Sequence, residues 1–239
     1  MTRLRGGSRY GVVAAMFLLL VSARPAMAAD PKPPDIQALT QDIQKIRKEA
    51  ESLTLALWLP PQYWKATLAG NAQVSEAAKD KIVETIRPYV IIAVADAKVG
   101  LLGTMTFTPE ADIREKARLV DAKGNAYEPL AEADIQPAAR GMLRMMKPIW
   151  AANMGAIGQN MQVLVFPATD KAGAQIADAT AKGSLVLKFD GNEYRWKLPL
   201  GSLLPPKFCP DCKEKCSGAW DFCPYCGKRL ESASPADAK

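Results

Sequence analysis

The chain has 239 residues, of which 49% are hydrophobic and 23% charged; this balance supports a well-packed domain with room for a smaller unit and excludes wholesale disorder. Histidine is absent, which excludes Ser–His and Cys–His nucleophile pairs and every histidine metal site. The formal net charge is +6, but four basic and no acidic residues lie within the first 28 positions, so the remainder carries 27 basic against 25 acidic residues and gives no indication of nucleic-acid binding.

The N-terminus has the three parts of a secretory signal peptide. Three arginines lie within the first nine residues, an apolar run covers residues 11–21, and Ala-Met-Ala follows at 26–28. The run is shorter than the roughly 20 apolar residues that span a bilayer. We therefore predict a signal peptide at 1–28, an exported and periplasmic protein, and no transmembrane segment in the mature chain. A retained N-terminal anchor is the alternative.

An amphipathic helix is predicted over residues 35–55, after a proline-rich linker at 29–34. Asp35 is a typical N-cap residue, and apolar residues then recur at alternating spacings of three and four, as in coiled-coil heptads. These apolar residues are Ile36, Leu39, Ile43, Ile46, Ala50 and Leu53. The helix either lies on its own domain or pairs with a protein partner or a second copy of the chain. The prolines of "WLPPQYW" at 58–64 are predicted to end the helix. The aromatic residues of that segment are predicted to lie in the core or to form a binding platform.

Residues 56–205 are predicted to form a β-rich domain with helical insertions. A helix is expected over about 75–86, and strand-like runs begin at Tyr89 and Met161. Hairpins are expected at 119–127 and 185–198, with glycine-containing turns at their centres. About seven short strands separated by turns indicate an α+β protein. We expect a β-sandwich-like domain, with the immunoglobulin fold as one form of it, and flanking helices.

A methionine-rich helical segment, "PAARGMLRMMKPIWAANMG", occupies residues 137–155. Its apolar side chains either fill the core or line a groove for an apolar ligand. The residues concerned are Met142, Met145, Met146, Trp150 and Met154.

All five cysteines lie within residues 209–226, and four of them form two C-x-x-C pairs separated by ten residues. A C-x-x-C turn places two sulfurs on one side, with backbone amides directed at them. Two facing turns give four soft ligands that can converge on a tetrahedral zinc ion. Proline follows the first cysteine of each pair, and Gly227 follows the second pair, where the tight turn favours glycine; Lys213 takes that place in the first pair.

The segment "FCPDCKEKCSGAWDFCPYCGKRL" resembles the short zinc ribbons at the ends of many bacterial proteins, and the match covers about a tenth of the chain. The resemblance implies a ribbon over 206–230 with a structural zinc ion, before a disordered tail at 231–239. It also implies that the ligands are Cys209, Cys212, Cys223 and Cys226, and that the apolar support comes from Phe208, Trp220 and Phe222. Cys216 lies outside the family pattern, and it is a bystander, a substitute ligand or an intermolecular disulfide partner.

The tetrapeptide Cys223-Pro224-Tyr225-Cys226 also resembles the active-site dithiol of glutaredoxins. In that fold most of the chain follows the motif, whereas 13 residues follow Cys226, so we expect no glutaredoxin fold. A looser redox role stays open, because four cysteines in an oxidising periplasm can hold two disulfides instead of a metal ion.

The sequence has no nucleotide-binding glycine loop, no EF-hand and no G-x-S-x-G elbow, and no carboxylate stands out as an acid or base. We therefore predict a non-enzymatic, exported bacterial protein that serves binding or assembly in the cell envelope. The alternatives are a thiol-based redox or metal-responsive protein that uses the C-x-x-C pairs, and a carrier of apolar ligands.

Overall fold

The computed structural model describes residues 35–231. The predicted signal peptide, the linker and all but the first residue of the predicted tail lie outside the described residues. The described helices are α1 (Ile36–Ile43), α2 (Pro61–Ala69), α3 (Glu76–Ile86), α4 (Glu110–Lys116) and α5 (Pro137–Gln159). The strands are β1 (Gln44–Lys48), β2 (Ser52–Trp58), β3 (Tyr89–Val99), β4 (Met105–Phe107), β5 (Arg118–Val120), β6 (Ala126–Tyr127), β7 (Gln162–Pro167), β8 (Gly183–Phe189), β9 (Asn192–Leu198), β10 (Lys207–Phe208) and β11 (Lys215–Cys216). The predicted α+β class is confirmed.

The long strand β3 organises a five-stranded antiparallel sheet. One edge of β3 pairs with β2, which in turn pairs with β1. Its other edge pairs with β7 over Tyr89–Val94 and with β4 over Ala97–Val99. The first seven residues of β3 are all buried, consistent with a central strand that is covered on both faces.

A second antiparallel sheet has the strand order β6-β5-β8-β9. The hairpin β8–β9 was predicted from the alternation of apolar and polar residues, and its turn holds Asp190 and Gly191 with φ angles of 48° and 76°. Two consecutive positive φ angles are typical of the type I′ turn, whose twist matches that of the flanking strands.

The two sheets contribute to one hydrophobic core. Trp196 of β9 is completely buried, and its ring meets Trp58 of β2 edge to face, with 6.2 Å between the ring centroids. The indole Nε1 of Trp196 donates a hydrogen bond of 2.7 Å to the carbonyl of Ile43 at the end of α1. One side chain thus connects both sheets and the first helix. The prediction that Trp58 and Trp64 are core residues is confirmed.

The predicted helix over 35–55 is wrong beyond its first two turns. Helix α1 has its N-cap at Asp35 but ends at Ile43, and the hairpin β1–β2 follows directly. Leu39 and Ile43 are buried as the heptad pattern requires, but Ile46 is 59% exposed. The run from Leu55 to Trp58 is buried at every position, because β2 lies between β1 and β3 with both faces covered. The hydrogen bonds between neighbouring strands and the burial in the sheet therefore outweigh the local helical pattern of these residues.

The segment "WLPPQYW" therefore ends a strand and begins a helix, instead of ending one. Trp58 is the last residue of β2, Pro60 is the N-cap of α2 and Pro61 is its first residue. Proline is favoured there, because the first helical N–H groups have no intrahelical partner and the fixed φ of proline suits the helix.

The predicted helix over 75–86 is confirmed as α3, with the hydroxyl of Ser75 accepting the N–H of Ala78. The methionine-rich segment forms α5, in which Trp150 is buried and Met145 is 63% exposed. Met142 and Met145 line a groove of about 410 Å³ beside Ile82 of α3. The segment therefore contributes side chains both to the core and to a surface groove. None of the helices within residues 35–231 is long and apolar enough to cross a bilayer.

Asp121, at the turn between β5 and β6, gives a testable pH dependence. Its buried carboxylate accepts the N–H groups of Lys123 and Asn125, the side-chain amide of Asn125 and the hydroxyl of Tyr127, at 2.8–2.9 Å. Burial raises the pKa of Asp121, but these four hydrogen bonds outweigh burial and lower the pKa below its ordinary value. The carboxylate therefore stabilises the fold above about pH 4, and this contribution is lost as the pH falls through the lowered pKa.

We expect Asp121→Asn to lower the free energy of unfolding by about 2 kcal/mol at pH 7, because hydrogen bonds to a charged acceptor are lost. Urea denaturation of both proteins at several pH values tests this. The difference should shrink as the pH falls below about 4, because the wild-type carboxylate then becomes protonated. A difference that stays constant down to pH 2 would contradict the assignment.

Candidate metal centre

Two short turns of the same geometry build the cysteine cluster. In the first, the N–H of Lys213 donates to the carbonyl of Cys209 at 3.1 Å, and the N–H of Cys209 to the carbonyl of Glu214 at 3.0 Å. In the second, Gly227 and Cys223 form the equivalent bond at 2.9 Å, and Cys223 bonds the carbonyl of Lys228 at 2.8 Å. The repeat in the sequence is therefore a repeat in structure, with a cysteine at the first and fourth position of each turn.

The residue after each pair has a left-handed backbone. Gly227 has φ 74° and Lys213 has φ 62°. Glycine adopts this conformation without steric conflict, whereas a residue with a side chain incurs a cost of about 1–2 kcal/mol. The Nζ of Lys213 donates to the carbonyl of Pro210 at 2.6 Å, which fixes the long side chain across its own turn. Sequence inspection identified Lys213 as the departure from glycine, and the structure shows that the lysine adopts the glycine conformation.

The two turns face each other and bring four sulfurs together. The Sγ atoms of Cys209, Cys212, Cys223 and Cys226 all lie within 4.8 Å of one another. The contacts between the turns are 3.4 Å for Cys209–Cys226, 3.6 Å for Cys212–Cys223 and 3.7 Å for Cys212–Cys226. Four thiolates at 2.3 Å from one zinc ion would lie about 3.8 Å apart. The donor set and its spacing therefore fit a tetrahedral metal ion of this size and softness.

The four thiols differ in acidity. Burial raises the pKa of Cys223, but the N–H groups of Tyr225 and Cys226 and the neighbouring sulfurs outweigh it and lower the pKa to about 6. The pKa of Cys209 is lowered in the same way: burial raises it, and the N–H groups of Cys212 and Asp211 outweigh burial. For Cys212, the N–H of Glu214 lowers the pKa, but burial and the three neighbouring sulfurs raise it to about 12.

The first cysteine of each turn is thus the more acidic one, and the amides predicted to point at the sulfurs account for this. The second cysteine of each turn has a raised pKa, because its thiolate would lie beside others. A divalent cation at the centre would remove this repulsion, and its binding would release the remaining protons.

The apolar support of the cluster differs from the prediction. Phe208, Trp220 and Phe222 were expected to form it, but their exposed fractions are 63%, 45% and 59%, so that expectation is wrong. The small buried core beneath the turns consists of Cys209, Cys216, Cys223 and Leu230. The aromatic rings, together with Tyr225 at 69% exposure, lie at the surface. Sequence reasoning missed Leu230, whose N–H donates to the carbonyl of Asp221 at 2.8 Å next to the bridge between Phe222 and Arg229.

Cys216 is a buried member of this core and not one of the four converging sulfurs. It lies in β11, opposite Lys207 of β10, and its Sγ is 4.0 Å from that of Cys223. Its pKa is raised by burial and by the neighbouring sulfurs. A neutral thiol at this position packs as a small apolar group.

The charge of the surrounding segment suits a thiolate-bound metal. Between residues 207 and 230 there are five basic and three acidic residues, a balance of +2. Four thiolates around one Zn²⁺ carry a net charge of −2, so the segment and its ion would be neutral together.

Comparison of the chain with protein-family models, with curated proteins and with solved structures finds no match.

Proposed function

We propose that this is an exported, non-enzymatic bacterial protein that serves binding or assembly in the cell envelope, and that its C-terminal ribbon folds around a structural zinc ion. The observation that carries the proposal is the convergence of four cysteine sulfurs within 4.8 Å of one another. A segment of this size has too small a core to fold alone, so metal binding would supply its folding free energy. Export is inferred from the signal-like residues 1–28.

We also propose that the two sheets pack as a β-sandwich. The edge-to-face contact of Trp58 and Trp196 and the single hydrophobic core that both sheets share support this.

The ribbon is the proposed contact surface for a protein partner or a second copy of the chain. The hypothesis of a docking helix over 35–55 is withdrawn, because the helix ends at Ile43 with Leu39 and Ile43 buried, and the chain then enters the first sheet. The ribbon instead exposes four aromatic rings, those of Phe208, Trp220, Phe222 and Tyr225. Exposed aromatic side chains are enriched at protein interfaces, where burial of their large surface stabilises a complex.

We expect Phe222→Ser with Tyr225→Ser to abolish partner binding or self-association without loss of the metal. Light scattering after size exclusion measures self-association, quantitative co-purification from an envelope extract measures partners, and elemental analysis measures the metal. The matched control is Leu101→Ser with Leu102→Ser, which removes two other exposed apolar side chains. Equal loss with both double variants, or no change with either, would contradict a contact role for the ribbon.

A thiol-based redox or metal-responsive function is the second candidate. Cys216 favours it, because a fifth thiol 4.0 Å from Cys223 offers a partner for a disulfide. Metal analysis and thiol titration of protein purified from its native compartment distinguish the two functions. One zinc ion and one titratable thiol per native chain support the structural ribbon, whereas a metal-free protein with reducible disulfides supports the redox function.

A further inference from the structure

A cleft with a basic rim lies between α4, α5 and the outer edge of β7. Its volume is about 670 Å³, within the range of roughly 300–1,000 Å³ typical of ligand sites. We call it the basic cleft; the side chains that define it are Arg114, Arg140, Arg144, Lys147, Leu143 and Val163. It shares no residue with the ribbon, so the inference below is independent of the proposed function.

The rim of the cleft has an excess of positive charge. Four cations line it, but only two carboxylates, those of Glu110 and Glu132. Glu132 forms an ion pair with Arg144. Among the residues that the structure describes, no carboxylate lies within salt-bridge distance of Arg114, Arg140 or Lys147. The cleft therefore favours an anionic ligand.

Two of these arginines also have a structural role. Arg114 donates to the carbonyl of Leu130, and Arg140 donates to the carbonyl of Glu132 at 3.2 Å, which holds the loop before α5. A guanidinium has five N–H donors, so these single bonds leave most of each group able to bind a carboxylate. The Nζ of Lys147 makes no hydrogen bond to another described residue, and this side chain is exposed at the rim.

The floor of the cleft is apolar. Arg140, Leu143, Arg144 and Lys147 lie on one face of α5, at spacings of three and four residues. Leu143, Met161 and Val165 all line the cleft, and all three are buried. A ligand in the cleft would contact apolar side chains below and cations above, so it must be amphipathic.

Main-chain groups of β7 also face the cleft. The carbonyl of Val165 accepts the N–H of Leu130 at 2.7 Å from outside the sheet, so the main chain of Val165 points away from β3. Alternate residues of a strand direct their main-chain groups to the same side, so those of Val163 point outward as well. Within residues 35–231, no other segment supplies a main-chain partner to Val163 from that side.

We propose that the basic cleft binds an acidic peptide segment in extended conformation, added to β7 as a further strand. The outward N–H and carbonyl of Val163 bind the peptide main chain, the apolar lining contacts apolar side chains, and the cations bind carboxylates. Leu130 already makes the first bond of such a strand pair. The open strand edge favours a peptide over a small amphipathic anion, which would leave the main chain of Val163 without a partner.

The probes are a fluorescein-labelled hexapeptide of alternating Val and Glu and its counterpart of alternating Val and Lys. The alternation directs one type of side chain to each face of an added strand. Fluorescence anisotropy with the full chain should give a dissociation constant at least about tenfold lower for the acidic peptide, and binding should weaken with rising salt.

Lys147→Glu should weaken binding of the acidic peptide by at least about tenfold, because a rim cation becomes an anion. The matched control is Lys65→Glu, the same charge change at an exposed position of α2, which should stay within about twofold of wild type. Val163→Pro removes one outward N–H that makes no hydrogen bond to β3. The variant should bind the acidic peptide more weakly, while its circular dichroism spectrum should show an intact fold.

Equal affinity for the acidic and basic peptides would overturn the proposal, as would equal effects of Lys147→Glu and Lys65→Glu. If Val163→Pro fails to fold, the two lysine variants still test the proposal.

Decanoate, a small amphipathic carboxylate, provides the last comparison in amide chemical-shift titrations. Shifts at Gln162–Val165 with decanoate but not with the acidic peptide would make the occupant a small anion and overturn the peptide assignment.

Discussion

Replacing Cys223 by serine should remove the metal ion and unfold the ribbon while leaving the larger domain folded. Serine is a poor ligand for a soft metal ion, and Cys223 is both a converging sulfur and part of the small buried core. We expect the affinity for zinc to fall by more than about a hundredfold, since binding and folding of such a segment are one equilibrium. Elemental analysis measures the metal, and hydrogen exchange should show loss of protection across residues 206–230 and little change in the sheets.

The matched control is Cys216→Ala. This cysteine is buried beside Cys223 but is not one of the four converging sulfurs, so the alanine variant should keep one metal ion per chain. Chelation of the wild-type protein should reproduce the hydrogen-exchange pattern of Cys223→Ser. A Cys223→Ser protein that retains stoichiometric metal, or a Cys216→Ala protein that loses it, would show that the ligand set is wrong.

Trp196→Ala should be the most destabilising change in the larger domain. The side chain is fully buried, it contacts Trp58 across the two sheets, and its Nε1 satisfies the carbonyl of Ile43. Truncation of a buried tryptophan costs about 3–5 kcal/mol, because apolar contact is lost and the cavity closes only in part. Urea denaturation followed by far-ultraviolet circular dichroism measures the free energy of unfolding without depending on tryptophan fluorescence.

Two further tryptophan variants separate the causes. Trp196→Phe keeps most of the apolar contact but removes the hydrogen bond to Ile43, so it should cost about 1–3 kcal/mol. Trp220→Ala, at a ribbon residue that is 45% exposed, should change the free energy of unfolding by less than about 0.5 kcal/mol. If Trp196→Ala costs no more than Trp220→Ala, the two sheets do not depend on a common core.

The sequence predicted well those elements whose pattern and local chemistry agree. Helix α3 has a serine cap and an apolar stripe, and the hairpin β8–β9 has strict alternation around a glycine turn; both are present. The cysteine spacing was enough to predict that four sulfurs converge, because two C-x-x-C turns can hardly face one another in another way.

The failures have a common physical cause. A helical stripe and a central strand both need apolar residues. In residues 52–58 the pairing partner β3, which lies at least 34 positions further along the chain, decides between helix and strand. In the ribbon, aromatic size suggested burial, but Cys216 and Leu230 fill the small space beneath the turns and leave the rings outside. Neither outcome follows from local pattern, because each depends on contacts between distant residues.

The two cysteine turns have the same hydrogen bonds but differ in backbone strain. We therefore expect the proposed ribbon to open in a fixed order when it loses its ion. The turn at Gly227 keeps its shape at little cost, whereas the left-handed backbone of Lys213 carries a steric cost of about 1–2 kcal/mol. When the central ion leaves, the turn that holds Cys209 and Cys212 should relax first, and the turn that holds Cys223 and Cys226 should persist longer. Metal loss would then be asymmetric, with the thiols of the N-terminal turn becoming reactive before those of the C-terminal turn.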